Sequence, residues 1–186
     1  NTPWENFLTE AIKYILQTEP CAMETWLTLM LGHPILLLRN YTVLSQSPEQ
    51  IPGRTKTIFP DLKITIILEG GKQQVIYCEH KWDSPCNHEQ LKNYADLAAG
   101  ERARGNESVI VFVGSNYGQV SSAQELIGEA IENAVYWADI YRKFNEIPNP
   151  SPVLKQFLYF MLTKNLGPSE PMNPEYLRIL PHLREI

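Results

Sequence analysis

The stretch FPDLKITIILEGGKQQVIYCEHKWD, from Phe59 to Asp83, decides how the chain is read. Two apolar runs, one ending at Leu68 and one starting at Val75, flank Glu69-Gly70-Gly71-Lys72. This is the pattern of two buried strands joined by a glycine turn. The second strand then runs on into Glu79, His80 and Lys81, where a core strand should stay apolar. A sheet interior rejects unpaired charge. Carboxylate and ammonium groups there pair with each other, bind a metal or do chemistry.

Alternation along a strand sorts these side chains. Val75, Tyr77, Glu79 and Lys81 face one way, and Ile76, Cys78, His80 and Trp82 the other. In the preceding strand Asp61, Lys63 and Thr65 share a face, while Leu62, Ile64, Ile66 and Leu68 form the apolar one. Closing the hairpin on its Gly-Gly turn sets Asp61 beside Glu79 and Lys81. Two carboxylates and one lysine then meet at one end of the sheet. Lys63, two residues from Asp61, is expected to neutralise the carboxylates or to approach a substrate.

Outward from this segment, helices are predicted at 4–17, where Trp4, Phe7, Leu8, Ala11, Ile12, Ile15 and Leu16 form one face, and at about 22–31, ending near Gly32-His33-Pro34. Thr2 is placed as N-cap of the first helix, with Pro3 at its first position and Glu5 in the capping-box place. Strands are expected at 41–46, about 57–68, about 73–82 and 108–114, with SPEQIPGR as a loop. Helices follow at about 87–99 and, as one long element, at 121–144. The linker NEIPNPSP leads to an amphipathic helix starting at Val153, and the stretch from Pro168 reads as a wrap or the start of a further element. The order ααβββαβα predicts an α/β sandwich with a mixed central sheet and helices on both faces. Residues 1–144 are taken as the domain, with 145–186 as a helical extension or the start of a linker.

The 186 residues, 44% hydrophobic and 20% charged, suit one globular domain with a sizeable core. The most apolar run, LMLGHPILLL, is broken by His33-Pro34 and is too short to span a bilayer. The first residues carry no basic stretch of the signal-peptide kind, and the chain starts without Met, as a module of a longer protein would. A net charge of −5 argues against a broad nucleic-acid-binding surface but not against a nuclease, whose metal ligands are themselves acidic. Three cysteines, an odd number, point to a reducing compartment, and the expected location is the cytoplasm.

Two carboxylates at a strand end suit a hard divalent cation such as Mg²⁺, which takes one or two carboxylates and keeps several waters. A nearby ammonium can orient or deprotonate an attacking water, or neutralise phosphate charge. These parts fit phosphodiester hydrolysis.

Pro60-Asp61, seventeen intervening residues, then Glu79-His80-Lys81 resemble the PD-(D/E)XK motif of the restriction-endonuclease-like nuclease superfamily. Gln90-Leu91-Lys92-Asn93-Tyr94 is similar to the Q-x-x-x-Y motif of its recombination-exonuclease branch. WENFLTEAIKYIL resembles the first helix, which in this superfamily often supplies one more acid. The resemblance covers roughly residues 4–114 well, and 121–165 only in general pattern. It implies a restriction-endonuclease-like core with extra C-terminal helices. It implies that Asp61, Glu79 and the carbonyl of His80 bind Mg²⁺ or Mn²⁺, and that Lys81 positions or activates the water. Gln90 and Tyr94 would shape the site or touch the nucleic-acid backbone. Glu5 and Glu10 lie about 140° apart on an ideal helix, so both should not face the site. Glu5 is assigned to the helix N-terminus and Glu10 to the metal.

The expected activity is metal-dependent cleavage of nucleic acid, DNA in preference to RNA, leaving a 5′-phosphate, in prokaryotic defence, restriction or repair. No membrane partner is expected; a homodimer or a module of a larger protein is. One alternative is a non-catalytic nucleic-acid-binding or scaffold module on the same fold. Another is a zinc-stabilised interaction domain using Cys78, His80, Cys86 and His88. Cys78 is otherwise a core residue, and His80 packs on a helix. His88 is expected near a helix start, exposed or touching phosphate. Arg102, Arg104 and Lys92 are expected at phosphates or at a solvated helix end.

Overall fold

The computed structural model describes residues 3–34, 40–126, 128 and 130–168. Thr2 as a cap, the apolar residues 35–38 and the C-terminal stretch from 169 lie outside the described residues. In chain order the helices are α1 Pro3–Thr18, α2 Pro20–Leu31, α3 His88–Ala103, α4 Tyr117–Gln124, α5 Trp137–Asn145 and α6 Pro152–Thr163. The strands are β1 Asn40–Ser45, β2 Glu49–Gln50, β3 Thr57–Ile58, β4 Leu62–Ile67, β5 Gln73–His80, β6 Glu107–Gly114 and β7 Asn133–Tyr136.

One mixed sheet runs β1-β4-β5-β6-β7. β1, β4 and β5 pair antiparallel; β5, β6 and β7 pair parallel. Leu68 N–H donates to Lys72 carbonyl at 2.8 Å across the β4–β5 turn, with Gly70 and Gly71 both at φ +81°, a region costly for side chains with a Cβ. The hairpin register pairs Leu62 with Cys78. Continued by one residue, it sets Asp61 opposite Glu79.

Each face of the sheet buries its own apolar layer. Ile64, Ile66, Ile76, Cys78, Val111 and Val113 pack under α1, α2, α5 and α6. Val75, Tyr77, Ile110 and Phe112 pack under α3 and α4, with Ile51 and Ile58 beside β2 and β3 closing that layer. The parallel strand β6 has apolar side chains on both faces, as a strand covered on both sides must. Leu154, Phe157, Leu158 and Met161 of α6 are buried in the same cluster as α1 and α5.

Two elements differ from the sequence expectation. The single helix predicted over 121–144 is α4, a turn, β7 and α5. Asn133-Ala134-Val135-Tyr136 fits a helical period, but in the fold it completes the parallel edge of β6, and tertiary pairing overrides local preference. The strand predicted over 57–68 is split into β3 and β4 around Phe59-Pro60-Asp61, where Pro60 has no N–H for a ladder. β3 pairs instead with β2, inside the segment expected to be a loop.

Candidate active site

Glu79, one residue from the end of β5, faces α3. Its Oε2 accepts from Tyr94 hydroxyl at 2.6 Å and from Gln90 Nε2 at 2.8 Å. Gln90 and Tyr94 are four residues apart on α3 and so lie on one helical face. Tyr94 hydroxyl also accepts from Gln90 Nε2 at 3.2 Å. The α3 cap holds this face in register: Asn87 Oδ1 accepts from the N–H of Gln90. Gln90 and Tyr94 are therefore positioning residues for Glu79. Tyr94 is fully buried, so of the two roles expected for it the geometry fits shaping the site rather than touching a substrate.

Glu79 Oε1 lies 2.5 Å from Lys81 Nζ and forms an ion pair with it. Asp61, across the hairpin, accepts the backbone N–H of His80 at its Oδ2, 2.8 Å away. Asp61 and Glu79 are each 1% exposed and Lys81 5%. Burial pushes the Glu79 carboxyl up, and Glu5 adds to this; Lys81 charge and the bonds from Lys81 and Tyr94 oppose it, and the net direction is upward. For Lys81, burial pulls the ammonium down, but Glu79, then Asp61 and Glu5, carry it above the usual lysine value. Burial and the charges of Glu79 and Asp61 raise Tyr94 well above the phenol range, so it stays a donor. Burial thus works against both charges of the Glu79–Lys81 pair; the partners' charges outweigh it at Lys81 but not at Glu79.

His80 faces the opposite side of the sheet. Its Nδ1 lies 3.0 Å from Thr9 Oγ1, and its ring packs edge-on against Trp26 and Trp137 at 5.9 and 5.0 Å between centroids. Burial, with the charge of Lys81, holds the imidazole neutral with a value down to about 3. The side chain is core, so only the carbonyl of His80 is left for a metal.

The strand end past Lys81 is clamped on three sides. Trp137 Nε1 donates to Lys81 carbonyl at 3.1 Å. Gln119 Nε2 donates to the carbonyls of Trp82 and Ser84 at 2.9 and 2.6 Å, and Ser115 hydroxyl donates to Trp82 carbonyl. From α1, Glu5 Oε1 accepts from Trp82 N–H at 3.0 Å, Ser84 hydroxyl at 2.6 Å and Ser84 N–H at 3.4 Å.

This overturns the choice between the first-helix acids. Glu5 is 1% exposed and its charge acts on Glu79, His80 and Lys81. Glu10 is on the open side of α1, bound to Lys13 Nζ at 3.2 Å and to Ser45 hydroxyl. The helical stripe Glu5, Thr9, Ile12, Leu16 is all buried, and that spacing in the sequence is the signal that would have found Glu5. Lys63 is likewise corrected. It makes two 2.9 Å bonds to Glu49 of β2 and lies over the Tyr77 ring, rather than serving Asp61 or a substrate. Its partner sits on a strand that was expected to be loop.

Cys78 packs on one face of the sheet and Cys86 on the other, so the two-cysteine, two-histidine set does not converge. His88 Nε2 lies against Ser122, 2.7 Å from its hydroxyl. Arg102 donates to Ser108 carbonyl and Arg104 pairs with Glu101.

Among the described residues no group of three His, Cys, Asp or Glu is close enough to hold a metal. Asp61 and Glu79, opposite each other in the extended hairpin register, with the carbonyl of His80, would offer only oxygen donors. Glu79 Oε1, turned toward Lys81 rather than toward α3, is the oxygen that such a cation would share with the ammonium. That donor set suits Mg²⁺ or Mn²⁺ and not zinc.

No family model matches the chain, and no curated protein matches it. Among solved structures it is similar to the small subunit (R.BspD6I2) of the heterodimeric restriction endonuclease R.BspD6I, at 15% identity and a TM-score of 0.35, over 86% of this chain and 90% of that one. A likeness of that degree carries nothing about the site. No helix among the described residues is long and apolar enough to cross a membrane.

Proposed function

We propose that this domain is a metal-dependent nuclease of the PD-(D/E)XK type, hydrolysing phosphodiester bonds in DNA. The observation that carries the proposal is Glu79, fixed at Oε2 by Tyr94 and Gln90 and turned at Oε1 toward Lys81, opposite Asp61. Asp61 and Glu79, with the carbonyl of His80, would hold Mg²⁺ or Mn²⁺, which when bound supplies Lewis-acid stabilisation of phosphate charge. Lys81 Nζ holds its proton, donates toward the phosphate and orients the attacking water. A new O–P bond forms from the water as the bond to the 3′ oxygen breaks; the attacking water gives one proton to solvent, the leaving 3′ oxygen takes one from solvent, and the product keeps a 5′-phosphate. Glu5, through Trp82 and Ser84, keeps the strand end rigid. Three free cysteines support a reducing, cytoplasmic setting. A homodimer or a module of a larger protein, acting in defence or repair, completes the proposal.

One observation favours a second reading, a binding module without catalysis: Asp61, Glu79 and Lys81 are together almost sealed, at 1, 1 and 5% exposure. The test is cleavage of plasmid, linear duplex, single-stranded DNA and RNA in Mg²⁺, Mn²⁺ or EDTA, with wild type and Lys81→Ala. Metal-dependent cutting abolished in the variant supports the nuclease. Binding without cutting on any substrate supports the module.

A further inference from the structure

Beside Glu79 lies a groove of about 370 Å³, between β3 with Phe59 and the first turns of α3. It shares a wall with the carboxylate site: the carbonyl of Phe59 is 3.3 Å from Tyr94 hydroxyl, and Gln90 lines the groove while holding Glu79. Three amides, Asn87, Gln90 and Asn93, follow one another along the cap and first turns of α3. Asn87 is spent on its cap and Gln90 on Glu79. Asn93 is 8% exposed, lines the groove, and its amide hydrogen-bonds nothing among the described residues. Nor is that amide sealed in the interior as Trp26 Nε1 and Ser108 Oγ are. The Asn93 amide therefore opens into the groove, where its donor and acceptor are available to a group from outside the chain. At the lip the Phe59 ring is 55% exposed. Lys56 and Glu89 on the rim balance each other at 3.6 Å, so the groove suits an uncharged group rather than a phosphate.

An aromatic face beside an amide that offers one donor and one acceptor is the chemistry that takes a nucleobase, adenine above others through its N6 and N7. We propose that this groove binds an adenine base of the substrate strand next to the scissile bond, with Phe59 stacking on it and Asn93 reading its edge. The assignment rests on the nuclease proposal for its substrate, and it makes Phe59 and Asn93 determinants of specificity.

The test uses the full chain and single-stranded oligonucleotides of thymine carrying adenine, guanine or cytosine at one position. Binding is read by fluorescence anisotropy in EDTA, and cleavage by product ends in Mg²⁺. Wild type is expected to favour the adenine oligonucleotide several-fold, and Asn93→Ala to erase that preference. Phe59→Ala should weaken all oligonucleotides roughly tenfold and Phe59→Tyr should restore them. Phe59 is exposed and the Asn93 amide makes no internal bond, so both variants should melt as wild type does. An unchanged base preference in Asn93→Ala, or unchanged affinity in Phe59→Ala, overturns the assignment even if wild type cuts. Binding with the expected signature but no cutting supports the groove and overturns the nuclease. Neither binding nor cutting by wild type overturns both.

Discussion

The hydroxyl of Tyr94 meets Oε2 of Glu79 at 2.6 Å, and the two residues come from different layers, one from a helix and one from the strand beneath it. The contact joins the two sequence motifs into one device. A hydroxyl has one proton, and the shorter distance assigns it to Glu79 rather than to the carbonyl of Phe59 at 3.3 Å.

Tyr94→Phe should therefore act on the carboxylate and not on substrate affinity. Losing a hydrogen bond to a buried charged acceptor costs about 1–3 kcal/mol. Urea unfolding should show that loss, and cleavage should drop at least tenfold while the Kd for DNA changes little. A Kd that rises as much as cleavage falls would mean that Tyr94 contacts substrate.

Asp61 and Glu79 repel each other without a cation. A bound cation stabilises the fold by mass action, by about 2.7 kcal/mol at a hundred times Kd. Millimolar Mg²⁺ or Mn²⁺ should raise Tm, and Asp61→Asn should blunt the rise. A wild-type Tm indifferent to both ions would sink the metal site.

His80 predicts an acid limb in stability. Its value falls from 6.5 to about 3 on folding, because burial disfavours the imidazolium. The unfolded chain binds the proton more readily, so this stability is complete above about pH 6.5 and is lost as pH falls toward 3. The slope from one such group is up to about 1.4 kcal/mol per pH unit. Denaturation from pH 7.5 to 5 should be steeper in wild type than in His80→Gln; equal slopes would refute the neutral, buried imidazole.

The two acids of α1 should separate cleanly. Glu5→Ala strips the acceptor from Trp82 and Ser84 and should cost about 2–4 kcal/mol. Glu10→Ala, at a largely exposed pair, should cost under about 1 kcal/mol. Equal losses in chemical denaturation would contradict the clamp.

The hairpin and the facing of its side chains were legible because strand alternation and a Gly-Gly turn are local rules. Asp61 opposite Glu79, Lys81 on the same face and His80 on the other all follow from a period of two. Helical spacing likewise put Gln90 and Tyr94 on one face. What could not be read locally was which group each charged side chain meets. Lys63 goes to Glu49 because β2 folds over it, and β2 is only two residues long. The strand β7 was hidden because four residues fit either period, and only the open edge of β6 decides between them. Residue types and their periodicity, by themselves, determined the hairpin, its two faces and the residues at its end. Long-range packing alone decided that Glu5 rather than Glu10 reaches them, and that Tyr94 supports Glu79 instead of a substrate, because burial and partner choice are properties of neighbours far along the chain.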